Sequence, residues 1–159
     1  MTAMCLRWLA VALIATAPAI TACRSEADRV REQFTARLQE PARLTPLELA
    51  HLMDEANRAM EGKKMRFVNG GVSHEPNEKE RAELTMLLGG RISVEDGFVR
   101  EANGTTLRGV VGPATPVTAE LEALASVWIA VDTFLPQRFE FSYGQPGDGD
   151  YAYDIRYEN

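Results

Sequence analysis

The chain is poor in the side chains on which metal sites, disulfides and most catalytic centres depend. Its 159 residues include two cysteines and two histidines, too few for a disulfide framework or a multi-cysteine metal site. No serine stands in the glycine-framed turn that exposes a nucleophile, and no glycine-rich loop leads from a strand into a helix to hold phosphate. These absences predict no cofactor and favour a non-catalytic protein, although catalytic residues can also come from distant segments.

Strong positive charge and a membrane-spanning run are also lacking. The formal net charge is −6 at pH 7, and Lys63, Lys64 and Arg66 form the densest basic group. An acidic chain of this kind is a poor partner for nucleic acid. The apolar run from Trp8 to Ile20 is shorter than the ~20 residues that a helix needs to cross a membrane. We therefore expect no nucleic-acid partner and no lasting transmembrane helix.

The apolar run is instead organised as an export signal. It follows a positively charged start and ends in small residues, which is typical of a cleavable signal peptide. Its closing residues, Ile20-Thr21-Ala22-Cys23, resemble the lipobox of bacterial lipoproteins, in which a branched apolar residue and two small residues precede an obligatory cysteine. The resemblance covers residues 1–23 alone. It implies that the signal peptide is cut between Ala22 and Cys23, and that Cys23 receives a diacylglyceryl group on its thiol and an acyl chain on its new amino terminus.

Lipidation of Cys23 would decide where the protein works. Two or three acyl chains, at ~0.8 kcal/mol per buried CH2, hold a protein firmly on a membrane. Membrane lipid, reached through acylated Cys23, is therefore the first expected partner, and the cell envelope is the expected location. Arg24 stands where an Asp tends to retain enteric lipoproteins at the inner membrane. This favours the outer membrane, with the folded domain facing the periplasm.

Two other interpretations of the amino terminus remain. Ala17-Pro18-Ala19 also offers a cleavage site between small residues, and cleavage there would release a freely secreted protein. In the second interpretation, the apolar run is a buried first helix that contains an incidental cysteine.

The chain that follows the signal is long enough for one domain with a substantial core. We assign residues 1–22 to the lipoprotein signal peptide, 23–44 to a lipidated amino terminus and first helix or tether, and 45–159 to a single α+β domain. Four-residue spacing of Val30, Phe34 and Leu38 predicts the first helix, and capping boxes opened by Thr45 and Asn77 predict two more. The predicted helices cover residues 26–39, 45–62 and 77–88.

Short strands separated by turn-forming pairs predict an antiparallel sheet. Asn69-Gly70, Asp96-Gly97 and Asn103-Gly104 are strong hairpin signals. The strands that these pairs separate cover residues 63–68, 71–73, 91–95, 98–102 and 105–111.

The chain ends in two strands of alternating character. Their apolar residues share one face, which is typical of a core but could also stack on sugar rings or a peptide. Pairing of opposite charges predicts Glu140 opposite Arg156 and Arg138 opposite Glu158. The residues of the apolar face are Phe139, Phe141, Tyr143, Tyr151, Tyr153, Ile155 and Tyr157.

Residues 117–134 contain the longest apolar stretch after the signal. From Leu124 to Val131 this stretch is apolar almost all round except at Ser126, which predicts a central buried helix. The expected fold is α+β: an antiparallel sheet of about five to six strands packed against this long apolar helix, with two amino-terminal helices beside it.

Three acidic residues are candidates for chemistry. Asp132 lies at the end of the predicted long helix, where burial would raise its pKa. Asp148 and Asp150 lie in a loop without the spacing of a calcium site. The segment His74-Glu75-Pro76-Asn77-Glu78 lacks the second histidine and the continuous helix of a zinc protease, so no metal site is predicted.

The function expected from the sequence is a lipid-anchored envelope protein that acts as a non-catalytic binding or accessory module in the periplasm. Its second partner would be an envelope protein or a cell-wall component. The alternatives are a small envelope hydrolase that uses the acidic residues, and a freely secreted inhibitor or binding module.

Overall fold

The structure, a computed structural model, describes residues 25–114, 123–143 and 149–158. These residues form three helices and seven strands. In chain order the elements are α1 (Glu26–Gln39), α2 (Pro46–Met60), β1 (Lys64–Asn69), β2 (Val72–His74), α3 (Glu78–Leu88), β3 (Glu95–Ala102), β4 (Thr105–Pro113), β5 (Ala123–Ala130), β6 (Pro136–Tyr143) and β7 (Gly149–Glu158).

Each of these helices begins at a capping box. The N-cap side chain accepts a hydrogen bond from the backbone N–H three residues on, and the acidic side chain there accepts one from the N-cap N–H. These bonds satisfy donors that a helix start otherwise leaves unpaired. The three predicted helices are confirmed. The capping pairs are Ser25 with Asp28, Thr45 with Glu48, and Asn77 with Glu80.

The seven strands of the described residues form one antiparallel sheet in the order β2-β1-β7-β6-β5-β4-β3. Strands β3 to β7 follow one another as a meander, and β7 then pairs with β1. Helix α3 connects β2 at one edge of the sheet with β3 at the other. The chain therefore crosses the whole sheet once on its helical side.

The core lies between the helices and one face of the sheet. The strand register places Val110, Val127 and Phe139 side by side on this face, and all three are fully buried. Each helix adds a fully buried leucine to the same cluster, because its apolar stripe packs against these strands. The three leucines are Leu38, Leu52 and Leu87.

The predicted long helix over residues 117–134 is wrong. Ala123–Ala130 form β5, a central strand that pairs with β4 and β6, and the chain turns at residues 131–133. Residues 115–122 lie outside the described residues. A strand covered on both faces is apolar at nearly every position, as a buried helix is, so periodicity alone does not separate them. The prediction of five to six strands packed against a long apolar helix is therefore overturned by a larger sheet and three shorter helices in the described residues.

The predicted strand over residues 91–95 and its Asp96-Gly97 turn are also wrong. Both residues lie inside β3, where the register shifts between Asp96 and Val99 at a β-bulge. Gly97 approaches β4 so closely that a Cβ there would lie 3.0 Å from the Cα of Gly109. The Asn103-Gly104 hairpin is confirmed, with positive φ of 53° and 75° as a type I′ turn requires.

The last two strands pair as predicted but in another register. Arg138 faces Asp154 instead of Glu158, and Glu140 faces Ala152 instead of Arg156. The predicted register assumed that Glu140 pairs across the two strands, but its carboxylate instead bonds to Arg138 on its own strand and to Arg100 on β3. Because the shift is by an even number of residues, each side chain keeps its face of the sheet.

Candidate functional site

The sheet face opposite the helices carries an unusual set of charges. In the described part of the chain no helix packs against this face, which we call the open face. Its side chains come from alternate positions of the strands, which the register brings into one layer. The charged and aromatic residues that the register places on the open face are Lys64, Arg66, Glu95, Arg100, Trp128, Arg138, Glu140, Asp154, Arg156 and Glu158.

Glu140 is the centre of this layer. Its Oε1 accepts hydrogen bonds from Arg138 Nε at 2.6 Å and from Arg100 Nη2 at 3.2 Å, while its Oε2 accepts one from Trp128 Nε1 at 3.0 Å. Burial alone would raise the pKa of Glu140, but the bonds from Arg138 and Trp128 and the charge of Arg100 lower it below its usual value. The carboxylate thus holds two arginine side chains in fixed positions.

Trp128 is enclosed by neighbours in the same layer. The guanidinium carbon of Arg100 lies 4.2 Å from the ring centroid, a cation–π contact. The ring also lies over Gly109, where a Cβ would come within 2.9 Å of its Cζ3 atom. The indole therefore packs within the layer and orients Arg100, and it remains partly exposed.

A cleft of about 320 Å³ lies next to this layer, and we call it the arginine cleft. It is lined from one side by the β3–β4 hairpin and from the other by β6 and β7. Arg100, Arg138 and Arg156 line it together with one acid, Asp154, which accepts a 2.9 Å hydrogen bond from Arg138 Nη1. The lining is net positive although the chain as a whole is acidic.

Arg156 is the arginine of this cleft without a partner in the described residues. It lies directly opposite Arg66 in the pairing of β7 with β1, so two positive charges face each other. Arg66 bonds to Ser73 through its Nε at 2.7 Å and contacts Glu158 at 3.5 Å. Like charges in directly opposite positions destabilise a sheet. The register thus leaves Arg156 exposed at the cleft at some cost in stability.

Asp132 is the predicted site residue whose side chain the structure describes, and it does not line this cleft. Asp132 is exposed in the turn after β5 and lines a separate groove beside α1, together with Asp28 and Glu32. The backbone of Asp150 forms the second position of β7, whereas the lipidation residue Cys23, the preceding Ala22 and Asp148 lie outside the described residues.

A second polar cluster lies on the helical side of the sheet. His74 Nε2 lies 3.1 Å from Glu80 Oε2, and Glu80 also accepts a hydrogen bond from the N–H of Asn77. Burial and the nearby Glu80 carboxylate raise the pKa of Tyr153. Glu80 thereby ties β2, the start of α3 and β7 together. Within the described residues, no three His, Cys, Asp or Glu side chains stand close enough together to hold a metal ion.

The arginines of the open face could not be recognised along the chain. Arg66, Arg100, Arg138 and Arg156 belong to four different strands and are isolated from one another in sequence. The available signal was that each occupies a polar position of an alternating strand, and only the strand order shows that these positions are neighbours.

None of the described helices is long and apolar enough to span a bilayer. Comparison of the chain with models of known protein families, with characterised proteins and with solved structures gives no match.

Proposed function

We propose that this chain is a lipid-anchored cell-envelope protein whose folded domain is a non-catalytic binding module, and that the open face is its binding surface. The observation that carries the proposal is the arginine cleft on an otherwise acidic chain. A cleft with oriented cationic side chains binds a partner by charge complementarity without needing a nucleophile or a metal.

The position of the first helix supports a lipid anchor at Cys23. The N-cap of α1 is Ser25, two residues after the cysteine, so at most ~7 Å of chain separates the anchor from the helix. Leu38 is the buried residue of α1, and most of the helix is exposed. An exposed helix directly after an anchor suits a short arm that holds the domain away from a membrane. We assign the protein to the outer membrane, facing the periplasm, with an envelope protein or a cell-wall component as its partner.

The lipid anchor is tested by labelling cells that express the chain with radioactive palmitate. We expect label in the wild-type protein and none in Cys23→Ser, because Cys23 is the residue that the lipobox presents. Cys5→Ser is the matched control, since it removes the other cysteine and lies within the signal peptide. The control should incorporate label and remain with the membrane fraction.

Mass spectrometry of the mature amino terminus completes the test. An acylated terminus at residue 23 supports the proposal. A chain that begins after Ala19, or at residue 23 with an unmodified thiol, would contradict it and would indicate a secreted protein instead.

A further inference from the structure

We infer that the arginine cleft binds a small polar molecule through an oxyanion, a carboxylate or phosphate group held by Arg156 with Arg100 and Arg138 beside it. The inference rests on the proposed function in that it names the ligand chemistry of the open face, but it does not depend on the lipid anchor.

The positive charge of Arg156 is not balanced by the acids beside it. On its own strand, the neighbours of Arg156 on the same face are Asp154 and Glu158, two residues away on either side. Asp154 bonds to Arg138 at 2.9 Å, and Glu158 lies 3.5 Å from Arg66. Both acids that could neutralise Arg156 are thus engaged with other cations. A bound anion would supply the missing negative charge.

The other two arginines of the cleft are already oriented. Glu140, with a side chain 11% exposed, bonds to both Arg100 and Arg138. Within the described residues, Arg138 uses its Nε and Nη1 groups and Arg100 uses Nη2, so each guanidinium keeps further N–H donors at the cleft. Ordering such long side chains on binding normally costs entropy, and Glu140 removes part of that cost. Guanidinium groups bind carboxylate and phosphate by paired, charge-assisted hydrogen bonds.

The size and lining of the cleft fit a small polar ligand. A volume of about 320 Å³ is at the small end of the range for ligand pockets and suits a molecule such as a single sugar acid or a phosphate ester. Asn103, Thr105 and Gln137 also line the cleft and can hydrogen-bond to hydroxyl or amide groups. The charges of the three arginines, Glu140 and Asp154 sum to one net positive charge at the cleft.

The test is a titration of the mature, detergent-purified protein, followed by nuclear magnetic resonance of its backbone and arginine Nε–H groups. The probes are inorganic phosphate, glucuronate and, as the neutral control, glucose. We expect phosphate or glucuronate to shift resonances of the cleft with saturation and glucose to leave them unchanged. The response to the two anions distinguishes a phosphate ligand from a carboxylate ligand.

Arg156→Gln should weaken binding of the responding anion about tenfold or more, which corresponds to loss of one charge-assisted hydrogen bond. Arg91→Gln is the matched control, because Arg91 is an exposed arginine outside the cleft. The melting temperature of Arg156→Gln should equal or exceed that of the wild type, because the repulsion with Arg66 is removed. A lower melting temperature would contradict the charge argument.

The inference is overturned if neither anion shifts the cleft resonances, or if Arg156→Gln binds as tightly as Arg91→Gln. These outcomes leave the palmitate result unaffected. Conversely, a chain that lacks lipid but binds the anion would retain this inference and lose the anchor.

Discussion

Replacing Arg108 by methionine should destabilise the protein more than loss of an arginine from the surface. Arg108 lies on the helical side of β4 with 0% of its surface exposed. Its Nε and Nη2 groups bind the carboxylate of Asp96 in a bidentate pair. Its guanidinium also donates to the backbone carbonyls of Leu38, Glu40 and Ala42 at 3.2, 2.7 and 2.8 Å. The side chain of Arg108 thus links the end of α1 and the following loop to the sheet by hydrogen bonds.

Asp96 completes the same network from the neighbouring strand. It accepts hydrogen bonds from the backbone N–H groups of Leu44 at 2.8 Å and Phe98 at 2.9 Å. Burial alone would raise the pKa of Asp96, but the bonds from Arg108, Leu44 and Phe98 lower it below its usual value. These bonds therefore favour the charged form of the Asp96 carboxyl beside the guanidinium of Arg108.

The size of the effect follows from this burial. Removing one partner of a buried ion pair costs about 3–5 kcal/mol, because the other charge is left without compensation. Arg108→Met also leaves carbonyls of the α1–α2 connection without their donor, at about 1–3 kcal/mol for each one that stays buried. We expect a loss of at least about 3–5 kcal/mol, a large part of the ~5–15 kcal/mol that stabilises a typical domain.

Urea unfolding, followed by tryptophan fluorescence, measures this loss. Arg43→Met is the matched control, because Arg43 pairs with Glu95, the residue before Asp96, and both side chains are exposed at 62% and 77%. An exposed pair of this kind contributes about 0–1 kcal/mol. If Arg108→Met does not fold, Asp96→Asn keeps the shape of the pair and provides the measurement. Equal losses for the Arg43 variant and for a variant of the buried pair would refute the reasoning.

Three further predictions concern the sheet, and urea unfolding measures each. Gly109→Ala should cost about 1–3 kcal/mol, because the new Cβ would lie 2.9 Å from the ring of Trp128, and an unchanged midpoint would contradict that packing. Phe98→Gly should stabilise the chain by up to about 1–2 kcal/mol, because φ of Phe98 is 63° and the residue is 48% exposed. A lower free energy of unfolding would show that the contacts of the ring outweigh the backbone strain. The pKa of Glu140 is lower in the folded state than its unfolded-state value of about 4.5, so the ionised carboxylate adds to the free energy of unfolding above pH 4.5. This contribution is lost as the pH falls through the folded-state pKa. Glu140→Gln should therefore make the unfolding free energy less dependent on pH below 4.5, and an identical acid profile would exclude this contribution.

The helices could be predicted because their signals are local. Thr45 and Glu48 are three residues apart, and both hydrogen bonds of their capping box form within one turn. The same geometry at Asn77 and Glu80 marks the start of α3. The Asn103-Gly104 turn is also local, because the left-handed backbone is a property of those two residues themselves.

Strand β5 could not be recognised because its character depends on what covers it. Ala125, Val127 and Ile129 face the helices, as expected for a half-buried strand. Ser126 and Trp128 face the open side, yet the first is buried and the second is covered by Arg100. The long side chain of Arg100 on β3 covers Trp128, and the sequence of β5 itself does not indicate this cover.

The arginine cleft depends on a single irregularity in β3. Asp96 and Arg100 are four residues apart, so in a regular strand both would point to the same face. The bulge at Gly97 and Phe98 reverses this: Asp96 remains on the helical side with Arg108, whereas Arg100 turns to the open face and covers Trp128. The left-handed backbone of Phe98 is the strained conformation that the bulge requires. One inserted residue thus separates the buried pair that stabilises the fold from the cation that lines the cleft.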